Sequence, residues 1–469
     1  MNNKHFECLI CGRRYESQPS TEGLCPMCGG TVIIQYNYDN LRSAIGKEIF
    51  ISRQDSMWRY GELLPIPIEY SVSIGEGWTP LHRAIRLSEV LVRNLLIKNE
   101  TLNPTGSFLD RGASVVIGYA KMRRFSSVHT DIPGNLAASL AAYAARAGMK
   151  CVVHVREVFD QAKIYQILSY GAELQLSSAA DFHEGYYIGP ANPYVLEGVK
   201  TIAFEIAEQL SWRVPDWVII PAGNGGLLIS LWKGFWELRE LNLVNSMPKF
   251  AITQLSSCNP IVKAIGGEKS SRCISTIAKD IAIPKPLHLR AAVKVLKDRG
   301  VATSVTEEEI ISSMKLLARY EGILAEPAAA AALAGLKKLI ENGVMDQGDE
   351  VVIVITGSGL KDPSTIVKSF SEYSITGLLS AKNTRLGKTK LLILKLLANS
   401  PHHGYELMKL LQIELGSKIT TTTVYQHLKE LENMGLIELA GVSRIGGKYR
   451  KLYKLTRRGE LILKAFSEE

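Results

Sequence analysis

Apolar runs rich in β-branched residues recur through the middle of this chain: KCVVHVRE, DWVIIPAG and EVVIVITG. Each predicts a strand. Between them lie segments with apolar residues at helical spacing, such as LAASLAAYAARAG, a helix ended by Gly148. Strands alternating with helices predict parallel βαβ units and an α/β fold over residues 46–375.

Toward the C-terminus the pattern changes. LLILKLLANSPHHGYELMKLL predicts two helices, broken at ANSPHHG. ITTTTVYQHLKELENMGLI predicts a third, with threonines suited to its N-cap, a stop at Gly435, and Leu428, Leu431 and Met434 as its buried stripe. ELAGVSRIGGKYRKLYKLT predicts a hairpin turned at Gly446 and Gly447. Alternation there sets Tyr449, Lys451 and Tyr453 on one face and Arg450, Leu452 and Lys454 on the other. Leu461, Leu463 and Phe466 in a last helix are expected to pack or dimerise. Helix, helix, helix, hairpin is the order of a winged helix-turn-helix. The expected domains are 1–45, 46–375 and 386–469, with 376–385 as a linker.

Composition adds a partner. Of 469 residues, 46% are hydrophobic and 22% charged, an ordinary globular balance that predicts two to four domains. The net charge of +9 is uneven: residues 381–469 hold 16 Lys and Arg against 8 Glu and no Asp. A basic module on a near-neutral body points to double-stranded DNA. No apolar core of a signal peptide stands in MNNKHFECLICGRRY, and runs such as EPAAAAALAGL are too short to cross a bilayer. The expectation is a soluble cytoplasmic protein without a membrane partner.

Cys8 and Cys11 form one CxxC, and Cys25 and Cys28 a second, with 13 residues between the pairs. Two such knuckles can place four thiolates around one ion, and Zn²⁺ suits them. A closed site of this kind is structural and stabilises a short segment with little core. Paired disulfides or free thiols are the alternative. Cys151, Cys258 and Cys273 are scattered and are expected to be ordinary thiols.

Chemistry gathers at the ends of the predicted strands. DWVIIPAGNGGLLISLWKGFWEL reads as strand, glycine loop and helix, so Gly223, Asn224, Gly225 and Gly226 can offer backbone amides to an anion. Two further loops, IPGN with Asn135 and ITGSGLKDP with Thr356, and the stretch NPTGSFLDRG complete a crevice where open α/β sheets bind ligands.

Together with GEGWTPL, GNLAASLAAYAARAG, NPYVLEGVKTIAFEIAEQL and EGILAEPAAAAALAGL, these stretches closely resemble threonine synthase, a fold-type II pyridoxal-phosphate enzyme. The resemblance spans nearly all of residues 1–375. It implies two open α/β subdomains behind a zinc ribbon. It also implies that the glycine loop holds the cofactor phosphate, Asn135 the ring hydroxyl and Thr356 the ring nitrogen.

One residue departs from the family. Its SFKDRG supplies the lysine that forms the Schiff base, and here the stretch reads SFLDRG, with Leu109 in that place. Leucine has no amine and cannot serve as nucleophile or base. Ile132 and Pro133 replace small hydroxyl residues, Ser358 replaces a common His, and between Gly171 and Asn192 a helix is expected to be missing. Any pyridoxal phosphate is therefore expected to bind non-covalently. Lys98 and Lys121 are the nearest lysines in sequence, but Lys98 ends the strand LLIKNE, where an amine would need a different geometry, so neither is expected to replace the missing amine.

HGYEL, TVYQHLKELENMGLI and KLYKLTRRGE resemble the PadR-like regulators. A recognition helix enters the major groove by its N-terminal end, here Thr421, Thr422, Thr423, Tyr425, Gln426 and Lys429. Arg444, Lys448, Arg450 and Lys451 on the wing would meet phosphates.

Three readings follow. The first is a DNA-binding regulator, expected to be a homodimer, whose pseudoenzyme body senses pyridoxal phosphate, an amino acid or a related metabolite. The second is a working threonine synthase-like lyase with an accessory tail. The third is an inert interaction scaffold.

Overall fold

The structure is a computed structural model. It describes residues 4–463 except 21, 156–160, 177–184, 269–272, 275, 364, 367–386, 417–418, 446–447, 457–458 and 461–462. The chain divides into two compact units, Met1–Ser369 and Phe370–Glu469. The expected linker lies outside the described residues.

The first unit begins with a three-stranded antiparallel sheet, β1 (His5–Cys8), β2 (Arg14–Tyr15) and β3 (Val32–Gln35), in the order β2-β1-β3. The α/β body carries two larger sheets. Strands β4 (Leu81–Arg83), β5 (Asn94–Asn99), β10 (Trp217–Pro221), β11 (Lys249–Leu255), β12 (Gly300–Val305) and β13 (Glu350–Ile355) form a six-stranded sheet ordered β12-β11-β10-β13-β5-β4. All its pairs are parallel except β4 with β5. Strands β6 (Ser127–Thr130), β7 (Lys150–Val155), β8 (Glu173–Leu176) and β9 (Tyr186–Tyr187) form a parallel four-stranded sheet ordered β8-β7-β6-β9.

The three apolar runs of the sequence became β7, β10 and β13. In β10 all five residues are buried, because helices cover both faces of a parallel sheet. LAASLAAYAARA folds into the helix Asn135–Ala147, and Gly148 caps it at φ 66° in the left-handed region. The segment suspected of lacking a helix includes 177–184, outside the described residues.

One expectation is corrected here. Cys258 and Cys273 are joined as a disulfide; folding brings together two thiols that sequence leaves 15 residues apart, while Cys151 stays a free buried thiol. Lys98, in β5, is fully buried. Its ammonium donates to Glu205 at 2.7 Å, to the Thr79 carbonyl at 2.6 Å and to Gln209 at 3.0 Å. Arg111 joins the same lattice, reaching Glu205 and Glu100. Two cations and two carboxylates balance there, which is how charge survives full burial. Lys121 sits in the last turn of the helix Leu109–Met122 and is exposed.

The second unit has helices Lys388–Asn399, Gly404–Leu415 and Thr421–Asn433, then a hairpin of β15 (Ile437–Ile445) and β16 (Lys448–Leu455). A short strand β14 (His402–His403) pairs with β16. Leu394, Leu407, Leu411, Leu428, Leu431 and Leu463 meet in its core. Met434 is only half-buried, and Val424 fills the stripe instead. The turn residues 446–447 and the side chains of Leu461 and Phe466 lie outside the described residues.

Candidate functional site

Three strand ends and one helix start converge on a crevice of about 460 Å³. After β10 the chain runs through Gly223, Asn224 and Gly225 into the helix Gly226–Glu240. Gly225 takes φ 84°, a conformation that favours glycine. A Cβ on Gly223 would lie 2.8 Å from the carbonyl oxygen of Asp280, so no side chain fits there. The first amides of this 15-residue helix have no intrahelical acceptor and carry the positive end of its dipole. An anion is the natural partner of that geometry.

After β6 comes Gly134 at φ 106°, then Asn135 opening the next helix. Asn135 is 7% exposed. Its amide nitrogen donates to Asp280 at 3.0 Å and to both oxygens of Glu326 at 3.0 and 3.1 Å. Its Oδ1 is buried and meets no donor among the described residues. An acceptor left open on a crevice wall is suited to a ligand hydroxyl. Thr356, directly after β13, lines the same crevice and is 4% exposed.

Leu109 opens the helix Leu109–Met122 and lines the crevice beside Phe108, Ile132 and Pro133. Its turn is tied to the Thr356 loop: Phe108 donates its amide to the Thr356 carbonyl at 3.0 Å, and Ser358 to that of Gly106 at 2.9 Å. Ser358 faces a second, smaller cavity.

Sequence reasoning missed the charged residues of the crevice. Lys163, from the helix Gln161–Ser169, pairs with Asp280 at 2.5 Å. Burial, and then the charge of Asp280, push the Glu326 carboxyl up to about 7. Glu326 stands at the head of the apolar run EPAAAAALAGL, and nothing in sequence joins it to Asn135 or Lys163 to Asp280. His288 backs the glycine loop, donating its amide to the Asn224 carbonyl at 3.1 Å. Burial brings its imidazole down to about 4, so it is neutral at pH 7.

The cysteine quartet is assembled. Its four sulfurs lie within 4.8 Å of one another, with Cys8 and Cys28 at 3.5 Å and Cys11 and Cys25 at 3.7 Å. A tetrahedron of thiolates about 2.3 Å from one ion has edges of roughly this length, so the group could hold a metal. The knuckles also grip the α/β body. Arg290 donates to the Cys28 carbonyl at 2.8 Å, Lys294 to that of Leu9 at 3.0 Å, and Thr31 meets His288 Nδ1 at 2.9 Å.

In the second unit, Thr420 caps the helix Thr421–Asn433 by accepting from the Thr423 amide. Thr421, Thr422, Tyr425, Gln426 and Lys429 are exposed, and Thr423 is half-buried. Thr421 is partly engaged, its hydroxyl donating to Met408 Sδ at 3.1 Å. Lys451 is exposed on the hairpin; Arg450 stacks over the Tyr405 ring at 4.8 Å. The side chains of Arg444 and Lys448 lie outside the described residues. Among the described residues no helix is long and apolar enough to cross a membrane.

Comparisons agree with this division. Residues 72–357 match the family model "Pyridoxal-phosphate dependent enzyme", and 393–465 match "Transcriptional regulator PadR-like family". A threonine synthase of Methanocaldococcus jannaschii is 39% identical over 387 residues, covering 78% of this chain and 95% of that one. A threonine synthase of Methanosarcina acetivorans is 37% identical, over 79% and 95%. The serine racemase structure of Dictyostelium discoideum superposes with a TM-score of 0.51 at 26% identity, covering 60% of this chain and 92% of that one.

Proposed function

Because this chain belongs to the family of pyridoxal-phosphate-dependent enzymes, with threonine synthases among its relatives and a PadR-like regulator domain at its end, we propose that it is a DNA-binding transcriptional regulator. Its α/β body senses pyridoxal phosphate, an amino acid or a related metabolite without converting it. The observation that carries this reading is Leu109. A hydrocarbon on the crevice wall neither attacks an aldehyde nor moves a proton.

The rest of the crevice still suits the cofactor. The amides of residues 223–226 would hold its phosphate, Asn135 Oδ1 would accept from its ring hydroxyl, and Thr356 would meet its ring nitrogen. When bound, pyridoxal phosphate supplies an electron sink; the proton transfers fall to the protein. Zn²⁺ in the cysteine quartet would have a structural role.

On the other unit, Thr421, Thr422, Thr423, Tyr425, Gln426 and Lys429 would face the major groove. Gln426 suits adenine, and the hydroxyls suit phosphates. Arg444, Lys448, Arg450 and Lys451 would neutralise backbone charge. In a homodimer, a ligand that changes the spacing of two such helices changes their fit to two half-sites. Reciprocity then makes DNA alter ligand affinity by the same factor.

The test is fluorescence anisotropy with a duplex selected by the full-length protein from a random pool. Pyridoxal phosphate, amino acids or phosphohomoserine should shift DNA affinity. Unchanged affinity with all of them at saturation sinks the sensor reading.

A second reading, a working threonine synthase-like lyase, is favoured by the 39% identity across 95% of a curated threonine synthase. Phosphate release from phosphohomoserine by the purified protein would establish it.

A further inference from the structure

We propose that Lys163 supplies the amine that Leu109 cannot, and that it condenses reversibly with the aldehyde of a phosphorylated pyridoxal-type ligand held in the crevice. This rests on the ligand-binding reading above and adds a covalent contact to it.

The lysines of this unit differ in what holds them. Lys98 is locked in the buried lattice with Glu205. Lys361 donates to the Thr105 carbonyl at 2.6 Å and to Gln166 at 2.8 Å, and lines the smaller cavity. Lys121 is exposed at a helix end. Two lysines line the main crevice: Lys279 is exposed to solvent, whereas Lys163 is 6% exposed and shares the wall with Leu109, Asn135 and Glu326.

Its position can be bounded. Lys163 Nζ lies 2.5 Å from Asp280 Oδ2, and the same oxygen accepts from Asn135 Nδ2 at 3.0 Å. The amine is therefore no more than 5.5 Å from the Asn135 amide. In pyridoxal phosphate the aldehyde is attached to the ring carbon beside the one bearing the hydroxyl. A ligand whose hydroxyl meets Asn135 thus carries its aldehyde into the neighbourhood of Lys163. The phosphate end is fixed by the same segment, since the Asp280 carbonyl abuts Gly223 in the glycine loop.

The surroundings suit the step. The ammonium of Lys163 passes one proton to the Asp280 carboxylate. Its nitrogen pair then attacks the aldehyde carbon, and the C=O π electrons move to oxygen. Water departs from the resulting adduct, taking the former aldehyde oxygen, and the proton returned by Asp280 leaves the imine protonated. One cation enters and one cation remains, so the pairing with Asp280 is preserved. Glu326, bonded to the same Asn135 amide, is a second group able to relay a proton there.

This amine comes from the helix Gln161–Ser169, whereas Leu109 starts another helix. The covalent bond would hold the ligand without putting a base where the family has one. That fits a receptor, and it ties ligand occupancy to the helix that carries Lys163.

The full-length protein is incubated with one equivalent of pyridoxal phosphate, its visible spectrum is recorded, and the imine is reduced with borohydride. Peptide mass mapping should find the pyridoxyl label on Lys163. Lys163→Met should lose both band and label, and Leu109→Lys in that background should restore a band with the label at position 109, showing the double variant is folded. Retention of pyridoxal phosphate on dialysis with no label on Lys163 overturns this inference and leaves the sensor reading intact. No retention at all by the folded protein overturns the covalent contact and the pyridoxal-phosphate form of the sensor together.

Discussion

Asn135 Nδ2 donates to both carboxylate oxygens of Glu326, at 3.0 and 3.1 Å, and so joins the start of one helix to the start of another across the crevice. The carboxyl it holds is buried and sits up at about 7, through burial first and the charge of Asp280 second.

That shift has a sign. A carboxyl raised in the folded state binds its proton more tightly there than in the unfolded chain. Its stabilising contribution is complete below the ordinary carboxylate range and is lost as pH rises through about 7. Glu326→Gln should flatten the dependence of Tm on pH between about 4.5 and 7. Parallel melting curves of the two proteins across that range check this, and an unchanged slope would count against it.

Lys98 and Arg111 share Glu205 in a lattice with no exposed side chain. Removing one cation leaves a buried carboxylate short of its partner. Lys98→Met should cost about 3–5 kcal/mol of stability. Urea unfolding measures it, and a loss below about 1 kcal/mol would mean the pair was already neutral.

The knuckle carbonyls of Leu9 and Cys28 accept from Lys294 and Arg290. If the quartet holds a metal, a strong chelator or Cys8→Ser should release those contacts. Protection of residues 289–299 from hydrogen exchange should fall together with that of residues 4–36. Loss confined to the small sheet would show that the two are uncoupled.

Cys258 and Cys273 close a loop with a sequence separation of 15. Cross-links of that span stabilise by about 3 kcal/mol when they constrain the unfolded chain. Reduction should lower Tm by an amount that Cys273→Ala reproduces. Equal Tm with and without reductant, together with seven titratable thiols in the untreated protein, would show that the bond does not form in solution.

DNA contacts separate by type. Lys451→Ala should weaken all duplexes alike and lower the slope of log affinity against log salt by about 1. Gln426→Ala should cost about 1–3 kcal/mol on the selected duplex alone. Binding isotherms over a salt series distinguish the two, and a Gln426 effect equal on every sequence would remove it from base reading.

Much of this was legible in the chain. Apolar runs such as DWVIIPAG had to become buried parallel strands, because only a sheet covered on both faces buries so continuous a pattern. Gly225 marked a turn that favours a residue without a Cβ, and the two CxxC pairs declared their own partners by spacing. The third helix of the basic unit announced its cap, Leu428 and Leu431 of its stripe, and its exposed end, since these depend on neighbours within a few residues.

What the sequence could not determine was which distant side chains share a wall. Lys163 meets Asp280 across 117 residues, Asn135 meets Glu326 across 191, and Thr31 meets His288 across 257. Local propensity is blind at those separations, because such contacts exist only after the sheets have stacked. So the chain by itself determined that a leucine stands in SFLDRG; only the tertiary structure decided which amines line that crevice, and that Lys163 is the buried one.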